Sequence, residues 1–81
     1  MTKFQEMKNY FNEHNMKTTM ESIDDIIDYV SYYTDPVLME GMDDGCFIRE
    51  YIKDRIFYAV NDDDLRLVHD YSEILLTMFG Y

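Results

Sequence analysis

Apolar residues recur along this chain at three- and four-residue steps, the period of helices that each bury one face. Phe4, Met7, Phe11 and His14 make the first such face, with Tyr10 on its edge, and Thr2-x-x-Gln5 has the form of a capping box. A helix is expected from about Lys3 to Asn15. The polar stretch from Asn15 to Glu21 suits a connection, with Met16 and Met20 placed to plug the core from either side. Ser22 is a good N-cap, with Asp25 as an imperfect capping-box partner, and Ile23, Ile26, Ile27, Val30 and Tyr33 then line one face. That second helix should stop near Thr34. Asp35-Pro36 supplies the stop, because the residue before a proline avoids the helical region, and the same pair starts a new helix as cap and first residue. Val37, Leu38, Met39 and Met42 give this third helix one or two turns before Gly41 and Gly45 loosen it.

Asp43 or Asp44 can cap a fourth helix, whose wheel gathers Phe47, Ile48, Tyr51, Ile52, Ile56, Tyr58 and Ala59 on one broad side. Two residues break its pattern. Arg55 falls in the middle of the apolar side, where it is expected to snorkel its head to water or pair with an acid. Phe57 falls on the polar side near Glu50 and Lys53. After a turn over Asn61 to Asp64, the residues Leu65, Leu67, Val68, Tyr71, Ile74, Leu75, Met78 and Phe79 give the clearest helical period in the chain, ended by Gly80. Their arc spans more than half the wheel, so this fifth helix (about 62–79) is expected at the centre. The fold class predicted is all-α: one compact domain, residues 1–81, built as a bundle of four to five short helices. Tyr29 to Thr34 is rich enough in β-formers to allow a local strand instead.

Charge changes the picture more than length does. The chain has 81 residues, is 47% hydrophobic and carries a net charge of -10, so it is too apolar for a disordered acidic tail and yet strongly acidic. Such a surface repels nucleic acid, anionic membrane and acidic substrates, and favours a basic partner. The single cysteine, Cys46, excludes an intrachain disulfide and a cysteine-based zinc site. With no leader pattern and no long apolar run, a cytoplasmic protein is expected, in the host cell if it is phage-encoded.

Catalytic and metal chemistry find little support. Asp62 to Glu73 has the span of a calcium-binding EF-hand loop, but Arg66 and Leu67 stand where a ligand and a glycine are needed. His69 and Glu73 make half a metal site, and His14 reads as a residue at the margin of the core. Cys46 follows an acidic pair, which disfavours a reactive thiolate. No catalytic residue, metal or cofactor is assigned, and the protein is expected not to be an enzyme.

Between Thr18 and Ile48 the chain carries Glu21, Asp24, Asp25, Asp28, Asp35, Glu40, Asp43 and Asp44 and neither lysine nor arginine. Many of these acids, with Asp62, Asp63 and Asp64, fall where they would cap helices or oppose the positive end of a helix dipole. Capping does not account for the missing bases, since the same dipole favours cations in last turns, and the second helix ends in Tyr32, Tyr33 and Thr34 while the fifth ends in Thr77, Met78 and Phe79. On the second helix Glu21, Asp24, Asp25, Asp28 and Asp35 form a stripe opposite the isoleucines, with Tyr32 near its middle. In size, charge and this stripe the chain resembles the small acidic DNA-mimic inhibitors of phages and mobile elements, the anti-CRISPR and anti-restriction proteins. The resemblance implies a non-enzymatic inhibitor that occupies a basic nucleic-acid-binding surface of a host nuclease or other nucleic-acid-handling protein. It assigns partner contact to Glu21, Asp24, Asp25, Asp28, Tyr32, Asp35, Asp43, Asp44, Asp62 and Asp63. The alternative is a helical interaction or regulatory module, of antitoxin or adaptor kind, whose interface is the apolar excess at Phe57, Val60 and Phe79 and which could pair with itself as a homodimer.

Overall fold

The computed structural model describes residues 2–15 and 22–80. Five helices follow in order: α1 (Lys3–Glu13), α2 (Ile23–Tyr33), α3 (Pro36–Met39), α4 (Asp44–Asn61) and α5 (Leu65–Phe79). The all-α bundle expected from the periodicity is what folds. The segment from Tyr29 to Thr34 continues α2 to Tyr33 and turns extended only at Thr34, so the allowed local strand does not form. Connections placed at Met16, Met20 and Glu21 lie outside the described residues.

Helix starts follow the short polar residues. Thr2 accepts the Gln5 backbone N–H at 3.1 Å, but the Gln5 side chain turns forward to Asn9, so only half of the expected capping box forms. Ser22 and Asp25 complete theirs: Ser22 Oγ accepts from the Asp25 N–H and the Asp25 carboxylate accepts from the Ser22 N–H, at 3.1 and 3.3 Å. Asp35, Asp43 and Asp64 cap α3, α4 and α5 through Val37, Cys46 and Leu67. Gly80 closes α5 in the left-handed region, at φ 72°.

The centre of the bundle belongs to α4, not to α5. α4 packs against α1, α2 and α5, whereas α5 packs on α4 and α1. The wide apolar arc of α5 does not make it the central element, because part of the arc faces solvent, with Leu65 exposed. Ile48, Tyr51 and Ile52 of α4 are buried with Met7 and Phe11 of α1, Ile26 and Val30 of α2, and Tyr71, Ile74 and Met78 of α5. Each fully buried side chain of this kind stabilises the fold by roughly 1.5–3 kcal/mol. The two outer pairs run antiparallel. Tyr29 of α2 meets Tyr51 and Asp54 of α4, while Tyr33 and Thr34 share a cleft with Glu50. Lys3 at the start of α1 reaches Met78 at the end of α5, and Phe11 meets Tyr71 further along.

That first meeting supplies the base missing from the last turn of α5. Lys3 Nζ donates to the Met78 carbonyl at 2.5 Å, lies 5.4 Å from the centre of the Phe79 ring, and keeps Glu6 at 3.4 Å. A cation at a helix C-terminus satisfies an orphan carbonyl and opposes the negative end of the dipole, whichever part of the chain it comes from. Replacing Lys3 by Met should therefore lower stability by about 1 kcal/mol, whereas Lys53→Met, which loses only an exposed pairing with Glu50, should change it by less than about 0.5 kcal/mol. Urea unfolding monitored by helical circular dichroism compares the two, and equal losses would show that the Lys3 clamp contributes nothing beyond an ordinary surface charge.

Candidate protein-binding surface

α2 sorts its residues cleanly between core and solvent. Ile26 and Val30 are buried against α4, and the opposite side presents Asp24, Asp25, Asp28 and Tyr32 to solvent. Tyr32 is 83% exposed, which is unusual for so large an aromatic residue with so much apolar surface. Tyr33 was expected on the isoleucine face, but α2 ends there and the chain turns away at Asp35-Pro36, leaving it exposed with its ring 4.9 Å from Tyr32 and 5.0 Å from Tyr29. Beyond the turn, Val37 and Leu38 are 76% and 68% exposed, since α3 is a single turn that directs only Met39 against the core. The result is an aromatic and aliphatic ledge bordered by carboxylates. Its apolar members Tyr33, Val37 and Leu38 were not among the residues singled out from sequence. A tyrosine pair followed by a four-residue helix is the available signal, because so short an element cannot bury Val37, Leu38 and Met39 together.

The ledge is held from behind by a polar joint between α2 and α4. The Tyr29 hydroxyl donates to the Asp54 carboxylate, and the Arg55 guanidinium lies 5.0 Å from the Tyr29 ring centre and 5.1 Å from that of Tyr51. The Arg55 charge thus rests on two aromatic faces. Tyr29 and Tyr51 meet edge to face at 5.5 Å. Burial first, then the Asp54 hydrogen bond and charge, push the Tyr29 phenol well above its ordinary range, with Arg55 acting in the opposite sense. On the outer side Asp25, Asp28, Tyr29, Tyr32 and Tyr33 line an open groove. The adjoining cleft of about 300 Å³ is lined by Tyr29, Val30, Tyr33, Thr34, Glu50, Lys53 and Asp54.

The remaining predicted contact residues do not join this ledge as one patch. Asp43 caps α4 at its start, with Asp44 in the first turn, while Asp62 is the residue that ends α4 and Asp63 follows it with φ 55°. The 18 residues of α4 put these pairs roughly 27 Å apart. The Cys46 N–H bond holds the Asp43 carboxyl below its ordinary range, as expected of a capping carboxylate. Asp35 accepts the Val37 N–H beside the ledge. Glu21 lies outside the described residues. The alternative interface divides in the same way: Phe57 and Val60 are exposed near the end of α4, whereas Phe79 is half-buried at the other end, under Lys3 and against the core. Leu65, 77% exposed, lies just beyond Phe57 and Val60 in the chain and was expected on the core side.

Among the described residues no group of three or more His, Cys, Asp or Glu could hold a metal ion, and no helix is long and apolar enough to cross a membrane. His69 stands near Asp70 and Glu73 at 3.5 and 3.9 Å on the surface. His14, expected at the core margin, is exposed at the end of α1 with its ring 3.9 Å from that of Tyr10.

The Tyr29 joint sets an alkaline limit. The folded chain keeps the phenol proton at pH values where the unfolded chain has lost it, so the unfolded state binds fewer protons and stability falls as pH rises above about 10. Tyr10, also raised by burial and then by Asp70 and Glu73, acts in the same direction. Tyr29→Phe should be less stable than the native chain at pH 8 but should lose stability less steeply between pH 9 and 11, read from urea midpoints; parallel slopes would contradict the assigned environment.

Comparison with known protein families, curated proteins and solved structures finds no match to this chain.

Proposed function

We propose that the protein is a non-enzymatic binding protein whose α2 ledge engages a basic, nucleic-acid-binding surface of another protein and blocks it, in the manner of anti-CRISPR or anti-restriction inhibitors. The observation that carries this reading is the placement of Tyr32, 83% exposed, beside Asp28 and Asp25 in a segment without a single base. Exposed carboxylates steer a basic partner and set its orientation, while desolvating tyrosine supplies contact area at low entropic cost. Most bases elsewhere are already engaged within the molecule. Lys3 holds the end of α5, Lys8 lies over Phe4, Arg49 and Lys53 stand near Glu50, and Arg55 rests on two tyrosines. The charge on α2 is thus left for something outside.

A second reading draws on Phe57, Val60 and Leu65, all exposed around the turn between α4 and α5. It makes the protein a helical interaction module, of antitoxin or adaptor kind, that pairs with itself or a regulatory partner through apolar contact. Ionic strength separates the two, because charge steering is screened by salt and apolar burial is not.

The test is capture of partners by the immobilised chain, followed by their identification and a nucleic-acid competition assay. The inhibitor reading expects a nucleic-acid-binding protein that nucleic acid displaces, and whose affinity falls roughly tenfold or more between low and physiological salt. The double variant Asp24→Lys, Asp28→Lys should abolish the interaction while sparing the Ser22–Asp25 capping box. Unchanged binding by that variant, with loss on Phe57→Ser and Leu65→Ser, would replace the inhibitor reading by the second one.

A further inference from the structure

We infer that the groove formed by Asp25, Asp28, Tyr29, Tyr32 and Tyr33 receives an arginine side chain of the bound protein, an inference that rests on the reading of α2 as the face that meets a basic partner. Its lining combines two carboxylates with three tyrosine rings, and these are the two kinds of group that a guanidinium satisfies at once. The plane of the guanidinium stacks on an aromatic ring while its N–H fork meets carboxylate oxygens in the same plane. Lysine offers a compact and strongly hydrated charge that suits carboxylates but gives up more hydration to lie against a ring.

Charge complementarity selects a cation over an apolar occupant. Among the described residues the Asp28 carboxylate makes no hydrogen bond or ion pair, and the Asp25 carboxylate is engaged by the backbone N–H of Ser22 in its own capping box. Lys53 lines the adjoining cleft but stands 3.5 Å from Glu50. The molecule already recognises guanidinium in this way on the same tyrosine cluster. Arg55 sits over Tyr29 and Tyr51 at 5.0 and 5.1 Å, and the hydroxyl of that same Tyr29 is held by the Asp54 carboxylate. The groove repeats that combination on the outside, with Tyr32 and Tyr33 as exposed rings and Asp28 as the carboxylate. Tyr29 borders both.

The experiment uses three uncharged-background peptides, blocked at both ends, that differ at one central position: arginine, lysine or citrulline. Each is titrated at low salt into the full chain labelled with nitrogen-15, and amide shifts report site and affinity. The arginine peptide should shift residues from Asp25 to Tyr33, the lysine peptide should bind about three- to tenfold more weakly, and the neutral citrulline peptide should leave the spectrum unchanged. Tyr32→Ala should erase the difference between arginine and lysine, and Asp28→Asn should weaken both. Absence of binding by the arginine peptide, or equal binding of arginine and lysine in the native chain, would overturn the arginine assignment. Equal binding that still maps to α2 and still weakens in Asp28→Asn would leave the basic-partner reading standing, whereas shifts from both charged peptides that map away from α2 would overturn both.

Discussion

One helix has to supply apolar surface to three neighbours, and the rest of the molecule is arranged around that demand. α4 buries Phe47, Ile48, Tyr51, Ile52 and Ala59 toward α1, α2 and α5, so its side chains are shared among interfaces on more than one side. In a chain of 81 residues a single core must contain most of the large side chains, and any that are left out become surface. The exposed tyrosines of α2, the aliphatic pair of α3 and Leu65 are what remains once α4 has been covered. Apolar exposure in this protein is thus concentrated at places where an element ends or is too short, and these are the places where a partner could add the missing cover.

Polar groups at the joints decide how rigid those places are. Tyr29 is tied to Asp54 and overlain by Arg55, so the side of α2 that faces α4 is fixed by a hydrogen bond, a charge on two rings and an edge-to-face aromatic contact. The joint fixes the position of α2 on α4 and so sets the direction in which the helix presents its outer side chains. The same arrangement explains how an acidic chain can spend its few bases internally. Arg55 and Lys3 each work at a junction between helices, and neither neutralises the stripe on α2.

Helix positions were legible in the sequence because they depend on local chemistry. Ser22 with Asp25, Asp35 with Pro36, and Asp43 and Asp64 mark starts that the structure uses, and Gly80 marks the stop. What could not be read was how faces are shared. A wide apolar arc looks the same on paper whether a helix packs against three neighbours, like α4, or two, like α5, and Tyr33 looks like a core residue until α2 ends beside it. The missing cation of the last helix was a question about neighbours in sequence that the fold answers with a neighbour in space, Lys3. The predicted contact acids look like one surface in the sequence, although the length of α4 separates Asp43 and Asp44 from Asp62 and Asp63, and of the described ones Asp24, Asp25, Asp28 and Asp35 stand with Tyr32 at the ledge.

The Lys3–Met78 clamp also bears on how the chain behaves as a polymer. Its two residues are 75 positions apart, so this one bond closes nearly the whole described chain into a loop. Loop-closure entropy grows only with the logarithm of length, and closing this loop costs about 0.6 kcal/mol more than closing one half as long. A contact spanning nearly the entire described chain is therefore not much harder to form than a medium-range one, and in return it ties the first helix directly to the last.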